Sequence, residues 1–498
     1  MLAETRDIRS ISTNGNTAAR NELRMNEEQT RTRVCTTVSA IALILVVMST
    51  GAAADQIDQK VERPNVVLIM ADDMGYEALS VNGSESCKSP NLDRLASQGV
   101  RFANCFANPL CTPSRAKIMT GQYNVRNYIK FGMLDRGQTT FAHQLKAAGY
   151  ATCIAGKWQL GKQVDSPQHF GFEKSFLWQH TRSGRSKENG KTYDRRFVNP
   201  LLEFNGVEKD YVDGEYGPQL CTDFICDFIE KNKEDSFLVY YPMILTHCPF
   251  DPTPDSSDWD PKRLGSTTYK GDRNDPQRHF RDMVSYADRA VGQIVAQLEK
   301  SGVRDNTLLI FTGDNGTDKP IVTAWNGRKV VGAKGTMTDA GTRVPLIASW
   351  PAGIKKPGRV VDDLVEFCDI MPTLCEATGA RLPQKYPGDG SSILPVLQDN
   401  SNAREKDWIY IWYRGQVIVR NREYSLLAKT NGSNSSLTRY KGAFDGEKLV
   451  DSALSEQERS IKQQFETTLA RLAKTRLTGV SKETRTKLQK PKKNKQKK

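Results

Sequence analysis

Three short apolar runs, each breaking into polar residues, constrain the fold of this chain most. Val66-Val67-Leu68-Ile69-Met70 runs into Asp72-Asp73. Phe237-Leu238-Val239-Tyr240-Tyr241 leads past Pro242 towards His247, and Leu308-Leu309-Ile310-Phe311 ends in Gly313-Asp314-Asn315-Gly316. None alternates apolar with polar residues, and each is rich in β-branched or aromatic side chains, so each reads as a strand buried on both faces. Helical patterns lie between them: Asn91–Gln98, closed by Gly99, and Phe280–Lys300, whose Met283, Val284, Ala287, Val291, Ile294, Val295 and Leu298 share one face ahead of Gly302. Strands alternating with helices predict an α/β fold: a large, mixed, mostly parallel sheet flanked by helices. In such sheets a site gathers beyond the carboxyl ends of the strands, where all three runs deliver polar residues. From about residue 380 the texture changes. Short strands around Trp408–Tyr413, Gln416–Arg420 and Tyr424–Lys429, then a helix near Ser455–Leu472, predict a smaller α+β subdomain over 381–473.

The termini carry different signals. Arg31 and Arg33 precede an apolar run from Val38 to Met48 and the small residues Ala52-Ala53-Ala54, the layout of a signal peptide. The run is shorter than the roughly 20 residues that span a bilayer, so no transmembrane anchor is expected. Residues 1–54 are read as the leader, with Met25 as an alternative start, and the mature chain as exported, periplasmic or extracellular, its catalytic region over 55–380. Of the net charge of +13, +10 sits in residues 474–498, where eleven Lys/Arg face the single acid Glu483. Self-repulsion and few apolar residues predict a disordered basic tail, and the near-neutral remainder gives no reason to expect nucleic acid as partner. Ten cysteines show neither a compact disulfide framework nor a paired CxxC zinc pattern. Cys221 and Cys226 fall on one helix, and Cys368 and Cys375 read as core.

The most specific feature is Pro109-Leu110-Cys111-Thr112-Pro113-Ser114-Arg115-Ala116-Lys117-Ile118-Met119-Thr120-Gly121. Pro113 suits a first helical turn, which places Cys111 at the positive end of a helix, where backbone N–H groups favour an anion. Arg115, four residues on, shares that face, and its planar fork matches an oxyanion. Asp72-Asp73 and Asp314-Asn315 offer hard oxygen ligands suited to Ca²⁺ or Mg²⁺, although each alone is also ordinary turn chemistry. His247 after a buried strand suits proton transfer near neutral pH. His143, His169 and His279 read as structural.

The thirteen-residue string resembles the first signature of the type I, formylglycine-dependent sulfatases of the alkaline-phosphatase-like superfamily, and the resemblance extends over most of residues 62–380. It implies that a maturation enzyme oxidises Cys111 to Cα-formylglycine. One hydroxyl of the hydrate attacks sulfur, and the second then expels sulfate, so unmodified Cys111 is expected to be nearly inactive. The resemblance also implies a Ca²⁺ (Mg²⁺ less so) held by Asp72, Asp73, Asp314 and Asn315, which also contacts the group made from Cys111. Gly149–Gly161 resembles the second signature, in which Lys157 holds the sulfate or the diol. Here Gln159 stands where the family usually has the histidine that takes the diol proton; His180, in a loop that reads as surface, is a candidate substitute. His247 matches the histidine that binds the ester and protonates its leaving oxygen, and Lys334 the lysine that neutralises sulfate and leaving group.

The implied substrate is a sulfate ester, with a sulfated carbohydrate expected, selected by loops at Arg182–Arg196 and Asp251–Arg281 and by the C-terminal subdomain. Two other readings stay open. One is a phosphonate or phosphodiester hydrolase on the same scaffold; the other is a sulfated-glycan binder whose turnover is impaired by Gln159. Asn82, Asn431 and Asn434 fit glycosylation sequons, as does Asn315, where a glycan would block the metal ligands.

Overall fold

The apolar runs become neighbours. In the computed structural model, which describes residues 63–268, 275–400, 404 and 406–489, the main sheet comprises β1 (Asn65–Ala71), β2 (Val100–Phe106), β3 (Ala151–Lys157), β4 (Lys174–Trp178), β5 (Leu201–Phe204), β6 (Val207–Asp210), β7 (Phe237–Pro242), β8 (Thr307–Gly313), β9 (Leu346–Ser349) and β10 (Arg359–Glu366). Their spatial order is β10-β2-β9-β8-β1-β7-β3-β4-β5-β6. The central strands β8, β1, β7, β3 and β4 run parallel, with β1 and β8 in register from Asn65 opposite Thr307 to Ala71 opposite Gly313. β9 and the β5-β6 hairpin introduce antiparallel pairs on either side.

The helices named here are α1 (Pro90–Ser97), α2 (Cys111–Thr120), α3 (Phe141–Ala147), α4 (Gly217–Lys231), α5 (Pro276–Lys300) and α6 (Ile370–Thr378). Val67, Ile69 and Ala71 of β1 pack into one core with Leu92 and Leu95 of α1, Ile225 of α4 and Val291 of α5. Val66, Leu68 and Met70 face the other core, with Ile118 of α2, Phe141 of α3 and Leu374 of α6. Burial on both faces is the physical reason that β1 lacks alternation. α5 starts before the predicted Phe280: Asp275 caps the Arg278 N–H and Pro276 opens the first turn, signals that apolar periodicity does not register.

A second, antiparallel sheet follows, built from β11 (Ile409–Tyr413), β12 (Gln416–Arg420), β13 (Tyr424–Lys429), β14 (Ser436–Tyr440) and β15 (Gly446–Lys448) in sequential order. α7 (Glu456–Ala473), begun by a Ser455–Glu458 capping box, lays Phe465, Leu469 and Leu472 against it. One buried ion cluster ties this sheet to the main body. Asp339 accepts from Arg343 Nε at 2.9 Å and from the Phe444 N–H at 3.1 Å, and pairs with Arg420 of β12. Burial pushes the Asp339 carboxyl up, but Arg343 and Arg420 outweigh it and bring the pKa down to about 2.

The basic tail departs from expectation. Residues 474–489 are placed on the body and include α8 (Lys482–Gln489). The Ser481 N–H and the Thr484 hydroxyl both donate to Asp135, at 2.9 Å each, Glu483 pairs with Arg136 at 2.6 Å, and the Leu477 N–H donates to the Val125 carbonyl. A few specific polar contacts thus hold a segment that composition alone marks as solvated. Residues 490–498, and the expected leader over 1–54 with Met25, lie outside the described residues. No helix among the described residues is long and apolar enough to cross a membrane. Their cysteines are free thiols, Cys221 and Cys226 on α4 included.

Candidate active site

The site forms where the parallel strands end. β1 delivers Asp72 and Asp73, β8 delivers Asp314 and Asn315, β3 ends on Lys157, and the chain beyond β7 reaches His247. Close backbone approach makes this possible: a Cβ on Gly156 would stand 2.1 Å from the Pro242 carbonyl oxygen, and one on Gly316 1.8 Å from that of Ala340. α2 begins at Cys111 after an extended Leu110, with Pro113 in its first turn and every residue buried. Cys111 therefore sits at a helix N-terminus facing the strand ends, as the string predicted.

Nine of the ten expected site residues (the tenth is the substrate-binding candidate Gln159) converge, with Cys111 beside two carboxylates and the rest linked by direct contacts. Lys157 Nζ donates to Asp72 Oδ2 at 2.5 Å. Arg115 donates to Asp314 Oδ2 at 3.1 Å and to the Lys157 carbonyl at 2.6 Å, and stands 3.9 Å from Asp72 Oδ2. Lys334 Nζ pairs with Asp73 Oδ2 and lies 3.2 Å from His247 Nε2, itself 3.6 Å from Asp73 Oδ2. The Asn315 amide donates to Asp73 Oδ1 at 2.9 Å, and the Asp73 N–H to Asp314 Oδ1 at 3.0 Å. Asp73 holds a left-handed φ of 60° and Gln159 one of 58°, conformations that cost energy outside glycine and concentrate at functional sites.

Charge is unevenly shared. Burial pushes the Asp72 carboxyl up, but Lys157, His247, Arg115 and Lys334 together hold it well below the usual carboxylate range. Burial, then the neighbouring Asp72, lifts Asp314 to about 8, and burial also raises Asp73 and the Cys111 thiol. His247 is held well below its ordinary value by burial and then by Lys157.

These residues fit a hard cation. One ligand atom each from Asp72, Cys111 and Asp314 lie within 4.8 Å of one another. Asp72 Oδ1 and Asn315 Oδ1 are buried without a hydrogen-bond partner among the described residues, an arrangement that is costly for polar oxygens unless a cation completes it. An all-oxygen set of carboxylates and an amide is the chemistry of Ca²⁺ or Mg²⁺.

Other expected residues are placed differently. Gln159 is half-buried two residues past Lys157, its Oε1 without a hydrogen-bond partner among the described residues. His180 is not on the surface: it is buried, with Nε2 2.7 Å from the Gln163 carbonyl and Nδ1 3.7 Å from Glu203, so its contacts are structural. Arg195 and Arg196, expected on a substrate-facing loop, are also buried: Arg195 donates to the Asn199 and Tyr211 carbonyls, and Arg196 pairs with Asp194. Asn82 of the first sequon is buried, its amide donating to the Tyr76 carbonyl. Residues that sequence reasoning missed flank the site. Tyr128 and Tyr413, ring centres 6.2 Å apart, pack with Leu110 beside Cys111, and exposed Arg414 lies over the Tyr413 ring. They come from a loop and from the β11-β12 turn, and no local pattern marks them.

A cysteine at a buried helix start, three cations held beside carboxylates and a set of hard oxygen ligands at the ends of parallel strands suit the hydrolysis of anionic esters. The sulfatase family matches residues 64–380, and the family described as N-sulphoglucosamine sulphohydrolase, C-terminal, matches 331–474. Mouse (Mus musculus) N-acetylgalactosamine-6-sulfatase is 29% identical over 412 residues, covering 77% of this chain and 74% of its own. Cattle (Bos taurus) arylsulfatase A is 31% identical over 415 residues, covering 75% and 76%. The crystal structure of Ps i-CgsB superposes with a TM-score of 0.69 at 23% identity, over 83% of this chain and 94% of that one. The phosphonate monoester hydrolase of Agrobacterium radiobacter gives 0.61 at 19%, over 83% and 96%. At those identities the two structures speak for the fold alone, which is alkaline-phosphatase-like. The chain belongs to the sulfatase family and is a sulfuric ester hydrolase.

Proposed function

We propose that this enzyme is exported and removes sulfate from a sulfated glycan, using a formylglycine made from Cys111 by a maturation enzyme, together with Ca²⁺. The observation that carries this reading is the placing of Cys111: first residue of a buried helix, beside Asp72 and Asp314, with Arg115 and Lys157 bound to those same carboxylates. The hydrate of formylglycine supplies a hydroxyl nucleophile and a second hydroxyl for sulfate release. Asp72, Asp73, Asp314 and Asn315 would hold Ca²⁺, which supplies positive charge to the sulfuryl oxygens. Arg115 and Lys157, fixed by Asp314 and Asp72, orient the nucleophile and offset oxygen charge from one side. Lys334 Nζ and His247 Nε2 serve the leaving side, where Lys334 offsets charge and His247 hands a proton to the departing oxygen. Glycan as substrate rests on the names of the carbohydrate sulfatases among the relatives and on the leader over 1–54, which reads as an export signal.

Peptide mass spectrometry across Cys111 tests the reading: conversion of thiol to aldehyde lowers the mass by about 18 Da. Full sulfate release by protein with an intact thiol, or by Cys111→Ala, would overturn it. Turnover of an aryl phosphodiester above that of an aryl sulfate would favour the phosphorus-ester reading. Gln159 supports a second reading, a glycan binder of low turnover.

A further inference from the structure

Arg196 follows the strand Lys191–Asp194 and is 3% exposed. Nε and Nη2 of its guanidinium each donate to Asp194, at 2.8 Å, and its Cζ sits 4.3 Å from the centre of the Trp178 ring. The remaining edge, Nη1, is 2.7 Å from His247 Nδ1. A buried ion pair adds little net stability, because desolvation cancels most of the attraction. Its third contact therefore carries the interest. The Cys248 carbonyl also approaches Nδ1, at 2.5 Å, and would favour a proton there. Arg196 has no lone pair and only donates. A hydrogen bond from a full charge is roughly twice as strong as one between neutral groups, so the guanidinium anchors the ring through Nδ1 and leaves Nε2 facing the site. That is the nitrogen beside Lys334 and Asp73.

We propose that Arg196, braced by Asp194 and Trp178, is a positioning residue that fixes the ring of His247 so that Nε2 faces the leaving oxygen. This rests on the role given to His247 above. Misplacing a reacting group by about 1 Å can cost 10²-fold, and the loss must grow as the leaving oxygen becomes more basic and needs its proton more.

The test is a series of phenyl sulfates from 4-nitro to 4-methyl, assayed as kcat and KM with the matured enzyme, Arg196→Met, His247→Ala and the double variant. The expected result is a small loss for Arg196→Met on 4-nitrophenyl sulfate, rising to about 10²-fold on the 4-methyl ester, in kcat with KM little changed. Within His247→Ala, the Arg196 substitution should add no further dependence on the leaving group. Equal losses across the series, or losses that add fully to those of His247→Ala, overturn the inference. A flat series for His247→Ala itself removes the role of His247, and the inference falls with it. Should Arg196→Met fail to fold because Asp194 is left buried and unpaired, the Asp194→Asn/Arg196→Met pair, which removes both charges, gives the same reading.

Discussion

Replacing Asp339 with Asn tests how the C-terminal sheet is held against the catalytic body. Asn keeps the shape and one acceptor but cannot carry the charge that faces Arg343 and Arg420. The folded pKa of Asp339 is about 2 against an ordinary value of 3.8; at about 1.4 kcal/mol per pH unit, this difference corresponds to about 2.5 kcal/mol. The folded value is depressed, so the contribution is fully present above the unfolded pKa and is lost as pH falls through the folded one. The wild type should therefore exceed Asp339→Asn by about 2.5 kcal/mol at pH 7, by about 1.3 kcal/mol near pH 3, and by little below pH 2. Urea unfolding of both proteins, followed by fluorescence at pH 7, 5 and 3, measures the difference. Asp339 lies five residues beyond Lys334, so the variant should also lose kcat while KM changes less. A difference that stays constant with pH, or that is absent at pH 7, refutes the assignment of the depressed carboxyl to this cluster.

Two further outcomes concern the site itself. Chelation should abolish activity and Ca²⁺ restore it. Rebinding at pH 7 should release protons, because burial and Asp72 hold Asp314 at about 8 without the ion; calorimetry in two buffers of different ionisation heat detects this, and identical heats would exclude it. Gln159→His should raise kcat by about 10²-fold if removal of the diol proton limits turnover, whereas an unchanged rate would show that another group already performs that step.

What the sequence made legible is what neighbours along the chain determine. β1, β7 and β8 were readable because both of their faces are buried, which leaves an uninterrupted apolar run. Cys111, Pro113 and Arg115 were readable because the start of a helix is written within one turn. Asp72, Asp73, Asp314 and Asn315 follow from strands that end in carboxylates. The illegible parts depend on partners far away in sequence. Arg196 reads as part of a substrate-facing loop because its contact, His247, lies beyond β7, and Tyr413 is brought beside Cys111 only by the way the second sheet packs. The basic tail failed for the same reason: Asp135, which holds Ser481 and Thr484, sits hundreds of residues upstream. His180 reads as surface until β5 supplies Glu203 beneath it.

Cys111 is only 2% exposed, and the walls that enclose it arrive late: Asp314 and Lys334 belong to the last third of the catalytic region. Every residue of α2 is buried too, so the folded molecule leaves a second protein no part of this segment to grip. If the side chain is converted as proposed, the conversion is expected on the unfolded polypeptide, before the later strand closes over it. Order of events, rather than affinity for the native surface, then decides what fraction of molecules ever becomes competent.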